Sequence, residues 1–222
     1  MRLAHNETFL MDGNERITLG TKRTPVVTLR YTRGLKGLAG GEFDYHLFAV
    51  RAYQTLRFGL LGRSNYTLSG GYTPSVVPAM LLFSHLGNPT VFYNRSSFNL
   101  MNFFEYVSDR YVALQWQHQF EGLLFNRLPL VKQWHWRLVA QANVLWGAQR
   151  AENLALTEQT FLPGFRNRYQ FGTLDPTRPY VEVGYGIDNI FRVLRIQAFH
   201  RLTYRDPGVP VFGIKGSVHF SF

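Results

Sequence analysis

The sequence predicts an all-β protein: a transmembrane, antiparallel, up-and-down β-barrel. About eight to ten strands are visible, and the chain is expected to be the C-terminal part of a larger barrel. Three observations carry this. Runs of alternating side chains recur from Pro25 to Phe222, each with an apolar and a polar face. Aromatic residues make up 16% of the 222 residues, with 19 Phe and 12 Tyr, as expected where aromatic girdles mark a membrane interface. Finally, long and short connections largely alternate along the chain, which is how barrels keep long loops on one side of a membrane and short turns on the other.

The elements follow in order. Residues 1–24 form a lead-in, in which Thr8-Phe9-Leu10 and Ile17-Thr18-Leu19 flank the turn residues Asp12-Gly13-Asn14 and read as a partial hairpin. Residues 25–222 are the barrel domain. Pro25 to Arg33 sets Val27, Leu29 and Tyr31 against Thr28, Arg30 and Thr32. Gly34 to Gly41 is a flexible loop; no Lys-Ser/Thr and no helix follow it, so it is not a phosphate loop. Asp44 to Phe58 sets Phe48, Val50, Ala52, Leu56 and Phe58 against Tyr45, Arg51, Tyr53, Thr55 and Arg57. At that length it suits a tilted spanning strand. A tight turn, Gly59 to Gly62, leads to a return strand, Asn65 to Tyr72. Residues 73–109 show no sustained period and read as a long loop.

Arg110 to Phe120 is a strand with Gln115, Gln117 and Gln119 on one face, and Trp134 to Trp146 is the next. Residues 147–178 read as a second long loop. Three strands complete the chain, from Tyr180, from Arg195 to Tyr204, and from Gly213 to Phe222. Ile196, Ala198, Leu202 and Tyr204 are expected on one face of the middle strand. The chain stops on an aromatic residue in mid-strand, as a barrel's sealing strand does. With the C-terminus in the periplasm of a Gram-negative cell, both long loops fall outside the cell.

Composition narrows the rest. No run of about 18 apolar residues exists, so no membrane helix is expected. A mean hydropathy of -0.15 is compatible with a barrel, since only every second residue meets lipid. There are no cysteines, which removes disulfides, thiolate catalysis and cysteine-bound zinc. The seven histidines show no metal-ligand spacing, and no cofactor or metal is expected. Net charge is +10, from 24 Lys and Arg against 14 Asp and Glu. The cations lie singly along strands rather than in a basic run. They suit anionic lipid and lipopolysaccharide better than nucleic acid. The first residues, Met1 to Asn6, have no apolar stretch and are not a signal peptide, so a longer precursor is expected.

Three blocks resemble an uncharacterised Bacteroidetes outer-membrane family: Ser97 to Tyr111; Gly122 to Leu130 followed by Trp136-Arg137; and Pro179 to Phe191 running on to Arg201–Tyr204. The resemblance covers roughly Pro25 to the end. It implies a C-terminal barrel preceded, in family members, by a carboxypeptidase-regulatory-like β-domain without peptidase activity. That barrel is similar to the BamA-type surface-antigen class and to TonB-dependent receptor barrels. The Val-Arg-Gly-Phe/Tyr motif of the BamA class is absent; Pro163-Gly164-Phe165-Arg166 is a faint echo of it, so an insertase role does not follow.

Two sets of residues stand out as sites. With the apolar faces on lipid, Arg51, Arg57, Arg137, Glu182, Asp188, Arg195 and Arg201 all point inward. They are expected to form a lumenal charge ladder, the sharper alternative being an anion-selecting channel. Glu105, Asp109 and Arg110 are expected to anchor a loop at the barrel rim. Ser108, Asp109 and His118 are the residues an outer-membrane hydrolase would use, but no triad geometry is legible in their spacing. The expected function is a non-enzymatic structural or transport-related envelope protein, with other envelope proteins as partners through the long loops. The alternatives are an anion-biased pore or receptor-like transporter, a hydrolase, and a soluble basic β-domain that binds nucleic acid.

Overall fold

Among the described residues thirteen strands follow one another along the chain. They are β1 (Arg2–Leu3), β2 (Glu7–Asp12), β3 (Glu15–Thr21), β4 (Val26–Gly34), β5 (Tyr45–Arg57), β6 (Arg63–Tyr72), β7 (Phe83–Ser84), β8 (Val107–Ser108), β9 (Arg110–Phe120), β10 (Arg137–Ala148), β11 (Tyr180–Ile190), β12 (Leu194–Arg201) and β13 (Phe212–Val218). In this computed structural model the described residues are 1–222 except 6, 13–14, 22–23, 39, 122–133, 161–170 and 219–222; the side chains of 7–12, 15–21 and 157–160 also lie outside the description. Nine of the strands form one sheet in the order β1-β4-β5-β6-β9-β10-β11-β12-β13, every pair antiparallel. Two small two-stranded sheets, β2–β3 and β7–β8, interrupt an otherwise sequential meander. The all-β, up-and-down expectation holds. Among the described residues the sheet does not close: β1 and β13 are its ends, and the barrel is present as a partial wall.

The strands form because their side chains sort onto two faces, and the sorting is the reverse of that in a water-soluble sheet. On β10, Gln141 and Asn143 are buried, while Trp146 on the opposite face is 45% exposed. On β11, Glu182 and Asp188 are buried and Tyr185 is 55% exposed. On β12 and β13, Gln197, Arg201 and Lys215 are buried, against exposed Ile196, Ile214 and Val218. Leu29, Phe48, Leu68, Val112 and Trp116 extend the same apolar surface over β4, β5, β6 and β9. One continuous face of the sheet is therefore mainly apolar and open to the surroundings, with polar residues such as Gln54, Ser64 and His118 paired among themselves or with Tyr66. The other is polar and, from β9 to β13, enclosed.

Residues 73–109 enclose it. This segment does not hang free as a long outer loop; it folds back over the polar face and packs there. It contains β7, β8 and a short 3-10 turn at Ala79–Leu81. Phe98, Met101 and Tyr106 from this segment join Ala113, Leu145, Leu174 and Tyr180 in an apolar cluster against the sheet. Val77, Ala79, Leu82 and Val107 form a second. We call this segment the plug. Residues 147–178, expected to be irregular, contain a helix, α1 (Ala151–Thr160), and residues around Gly172 that bridge Tyr106.

Two expectations are corrected on β12. Tyr204 does not share a face with Ile196: at φ +51° the chain turns there, and the ring packs on Tyr106 and Tyr180. The strand itself ends at Arg201. The expected end of the last strand, His219 to Phe222, and most of the connection from 121 to 133 lie outside the described residues.

The β5–β6 turn sets a backbone demand. Gly62 sits at φ +104°, and a Cβ there would lie 2.0 Å from the Gln119 carbonyl oxygen. Gly208 has a similar φ of +88° but open space around it. Gly208→Ala should cost about 1 kcal/mol for conformation alone. Gly62→Ala should cost several-fold more, because backbone must also move. Thermal unfolding followed by circular dichroism compares them; equal midpoints for the two variants would contradict the packing described.

Candidate functional site

The site is the polar face together with the plug seated on it, and it is built around Glu182. That side chain is fully buried on β11. Its Oε1 accepts from the Asn99 backbone N–H at 2.6 Å and Asn143 Nδ2 at 2.7 Å. Its Oε2 accepts from the Leu100 N–H at 2.9 Å and the Tyr180 hydroxyl at 3.0 Å. A buried carboxylate is tolerated when its lone pairs are filled in this way. Two consecutive amides of the plug supply half the donors, so the plug is held by its backbone.

Arg201 lies directly across from Glu182 in the β11–β12 register, yet it forms its ion pair with the plug. Its guanidinium donates to Glu105 Oε1 at 2.7 Å and to the Tyr106 hydroxyl at 2.9 Å, and sits 4.8 Å from the Tyr180 ring centroid. Burial pushes the Tyr106 hydroxyl well above its ordinary pKa, and neighbouring Glu105 adds to this, so Tyr106 stays neutral while accepting from Arg201. Lys215, on β13, donates to the Asn88 carbonyl at 2.9 Å and to the Thr90 carbonyl. The Tyr93 hydroxyl donates to Gln141 Oε1 at 2.9 Å. Beside Lys215, Gly216 pairs by its backbone with the plug: the Gly216 N–H donates to Val91 O and the Tyr93 N–H to Gly216 O.

A second clamp closes the base of the plug. Arg150, just after β10, donates to Asp109 Oδ2 at 3.0 Å and to the Thr73 carbonyl at 2.7 Å. Asn153 on α1 donates to the same Asp109 oxygen at 3.0 Å and accepts from the Val77 N–H. The two ends of the plug are thus tied together where it leaves and rejoins the sheet.

The expected residues are distributed as follows. Asp188 and Arg195 close on each other at 2.7 Å, with Gln119 donating to the same carboxylate oxygen at 2.5 Å. Glu182 and Arg201 are plug clamps. Arg137 faces Asp188 across the β10–β11 register, and Arg51 and Arg57 are exposed on β5. Of the expected rim anchor, Glu105 pairs with Arg201 and Asp109 with Arg150; among the described residues Arg110 makes no ion pair. Ser108, Asp109 and His118 do not converge. His118 shares a proton with Ser64 Oγ at 2.7 Å, while Ser108 meets His85 Nε2 at 2.9 Å in a fully buried position. Among the described residues no three His, Asp or Glu are grouped to hold a metal. Arg150, Lys215, Asn143, Asn153 and Asn99 were not singled out from sequence. Lys215 carried a signal, a lone cation on the inward face of a strand. Asn99 carried none, because its backbone makes the contact.

A family model matches residues 1–153: the C-terminal domain of the family of unknown function DUF5686. No curated protein and no solved structure matches the chain.

Two outcomes test the clamps. Glu182→Gln keeps the shape but replaces one acceptor oxygen with a donor, and should weaken plug seating by about 1–3 kcal/mol. Limited trypsin cleavage after Arg95, within the plug, should then be at least tenfold faster than in wild type; an unchanged rate would remove the clamp. The second outcome concerns His85, which burial keeps neutral by lowering its pKa from 6.5 to about 4. Between those values the unfolded chain binds the proton and the folded chain does not, so stability falls as pH drops from 6.5 to 4 and is level below. The loss is about 3 kcal/mol. Denaturant titrations of His85→Gln should lack this part of the pH dependence.

Proposed function

This chain belongs to the DUF5686 family of unknown function, whose C-terminal domain it carries, and we propose that it is a non-enzymatic β-barrel protein of the Gram-negative outer membrane whose polar interior is closed by its own plug. The observation that carries this reading is the inverted sheet: the apolar face is exposed from β4 to β13, and the polar face is buried from β9 to β13. In water such a surface is costly at about 25 cal/mol per Å². Against acyl chains it is the required one, because the bilayer core solvates hydrocarbon and leaves ionised groups to the interior. Acyl chains and lipopolysaccharide are then the immediate partners, and the net charge of +10 suits their phosphates.

The role is structural or transport-related. The clamps by Glu182, Arg201 and Lys215 favour a plugged wall over a permanently open pore; transport would require the plug to leave those three side chains. Ser108 meets His85 in a fully buried position, and Asp109 beside it is committed to Arg150 and Asn153. The resemblance to outer-membrane proteins bearing a regulatory-like β-domain supports the same envelope location. Exposed plug residues such as Val91 and Phe103 offer a surface to other envelope proteins.

One substitution separates lipid from water as the solvent of the apolar face. Leu68, at mid-strand on β6, faces outward between Ala52 and Leu114 and is 45% exposed. Leu68→Arg on a water-exposed surface should change stability by no more than about 0.5 kcal/mol. On a lipid-facing surface it should cost about 2–4 kcal/mol. Folding titrations into lipid vesicles measure the difference. A protein that instead stays monodisperse in buffer without detergent, and tolerates Leu68→Arg, is not a membrane barrel.

A further inference from the structure

The plug does not cover the whole polar face. Over β4, β5, β6 and β9 it leaves a cleft of about 320 Å³, bounded on the wall side by Thr28, Arg30, Arg51, Thr67 and Ser69 and on the plug side by Ser84. Arg30 and Arg51 stand on neighbouring strands, offset diagonally: Arg51 is level with Thr28, and Arg30 with Ala49. Ser69 is level with Arg51 on its other side. Among the described residues no Asp or Glu lines the cleft.

These two arginines differ from those that hold the plug and the β11–β12 pair. Arg150, Arg195 and Arg201 each close on a carboxylate within 3.0 Å. Among the described residues neither Arg30 nor Arg51 makes an ion pair. A third cation, Arg95 of the plug, projects into an adjoining recess that shares Thr67 and Gln115 with the cleft. Withdrawal from bulk water lowers its pKa, and the like charges of Arg195 and Arg63 lower it further. Among the described residues, the region thus holds an excess of positive charge with hydroxyl donors around it and no carboxylate in its lining.

We propose that this cleft binds a phosphate-bearing anion, with Arg30 and Arg51 as the paired guanidinium clamps and Thr28, Thr67 and Ser69 as further donors. Guanidinium forks match phosphate oxygens in geometry as well as charge. Two forks and three hydroxyls offer more donors than the two oxygens of a carboxylate accept, and fit the three free oxygens of a phosphate group. The volume admits a small organic phosphate or one lipid headgroup, not a polymer. The inference uses only the polar face and does not depend on what solvates the other one.

Isothermal titration of the full chain in zwitterionic detergent tests it, with inorganic pyrophosphate and a short-chain phosphatidic acid as probes and acetate at equal ionic strength as reference. Wild type should bind at least one phosphate probe and not acetate. Arg30→Gln and Arg51→Gln should each weaken that binding at least tenfold, with unchanged thermal midpoints. Arg33→Gln, on the outward face of β4, should leave it intact. Preference for pyrophosphate assigns a soluble ligand, and preference for phosphatidic acid a headgroup. Absence of heat with both probes, or binding that survives in Arg30→Gln/Arg51→Gln, overturns the site. Because Leu68→Arg reports on the membrane reading separately, either can fail alone.

Discussion

The buried Glu182 carboxylate is the constraint from which most of the interior follows. A charge at the middle of a strand, on the enclosed side, must have its oxygens filled or it destabilises the fold by several kcal/mol. The strands alone supply Asn143 and Tyr180. The remaining donors are the amides of Asn99 and Leu100, so the plug must cross the sheet at that point. Once they are committed, Arg201 opposite cannot rely on Glu182 and needs another anion, which Glu105 provides. The position of one carboxylate thereby fixes the path of the next six residues of the plug.

The same logic explains why charged residues and hydrocarbon coexist on such thin strands. Period-two alternation sends every second side chain to the opposite face, so a strand can carry Glu182 and Val183 side by side. In a soluble protein the core would take Val183 and water would take Glu182. Here the assignment is exchanged: Glu182, Arg201 and Lys215 are matched by plug groups and Asp188 by Arg195, while at the cleft Arg30 and Arg51 make no ion pair among the described residues.

Much of the wall was legible in the sequence because alternation is a local signal. Arg110–Phe120 is a strand with the expected bounds, and Tyr45–Arg57 and Arg63–Tyr72 differ from expectation by a residue or two. The plug was not legible, because it is held by groups that every residue has: the amides of Asn99 and Leu100 and the carbonyls of Thr73 and Asn88. Helix α1 was missed because its short sequence shows little apolar periodicity. The charges were legible as inward-facing but their partners were not. Arg201 and Glu105 are 96 residues apart, and no local pattern encodes a pairing at that distance. Arg30 is legible on the inward face of its strand but its significance is not, because that lies in making no ion pair among the described residues, where Arg201 makes one.

The backbone pairing of Gly216 with Val91 and Tyr93 bears on how this sheet meets other chains. A terminal strand normally presents unsatisfied amides and carbonyls that recruit foreign strands, leading to edge-to-edge aggregation. By occupying Gly216 on that border, the plug blunts the most adhesive line of the molecule as well as filling its interior. It also sets a competition. Any strand that zips along β13 to seal the wall must first displace Val91–Tyr93, so circumferential closure at Gly216 and a fully seated tip exclude each other.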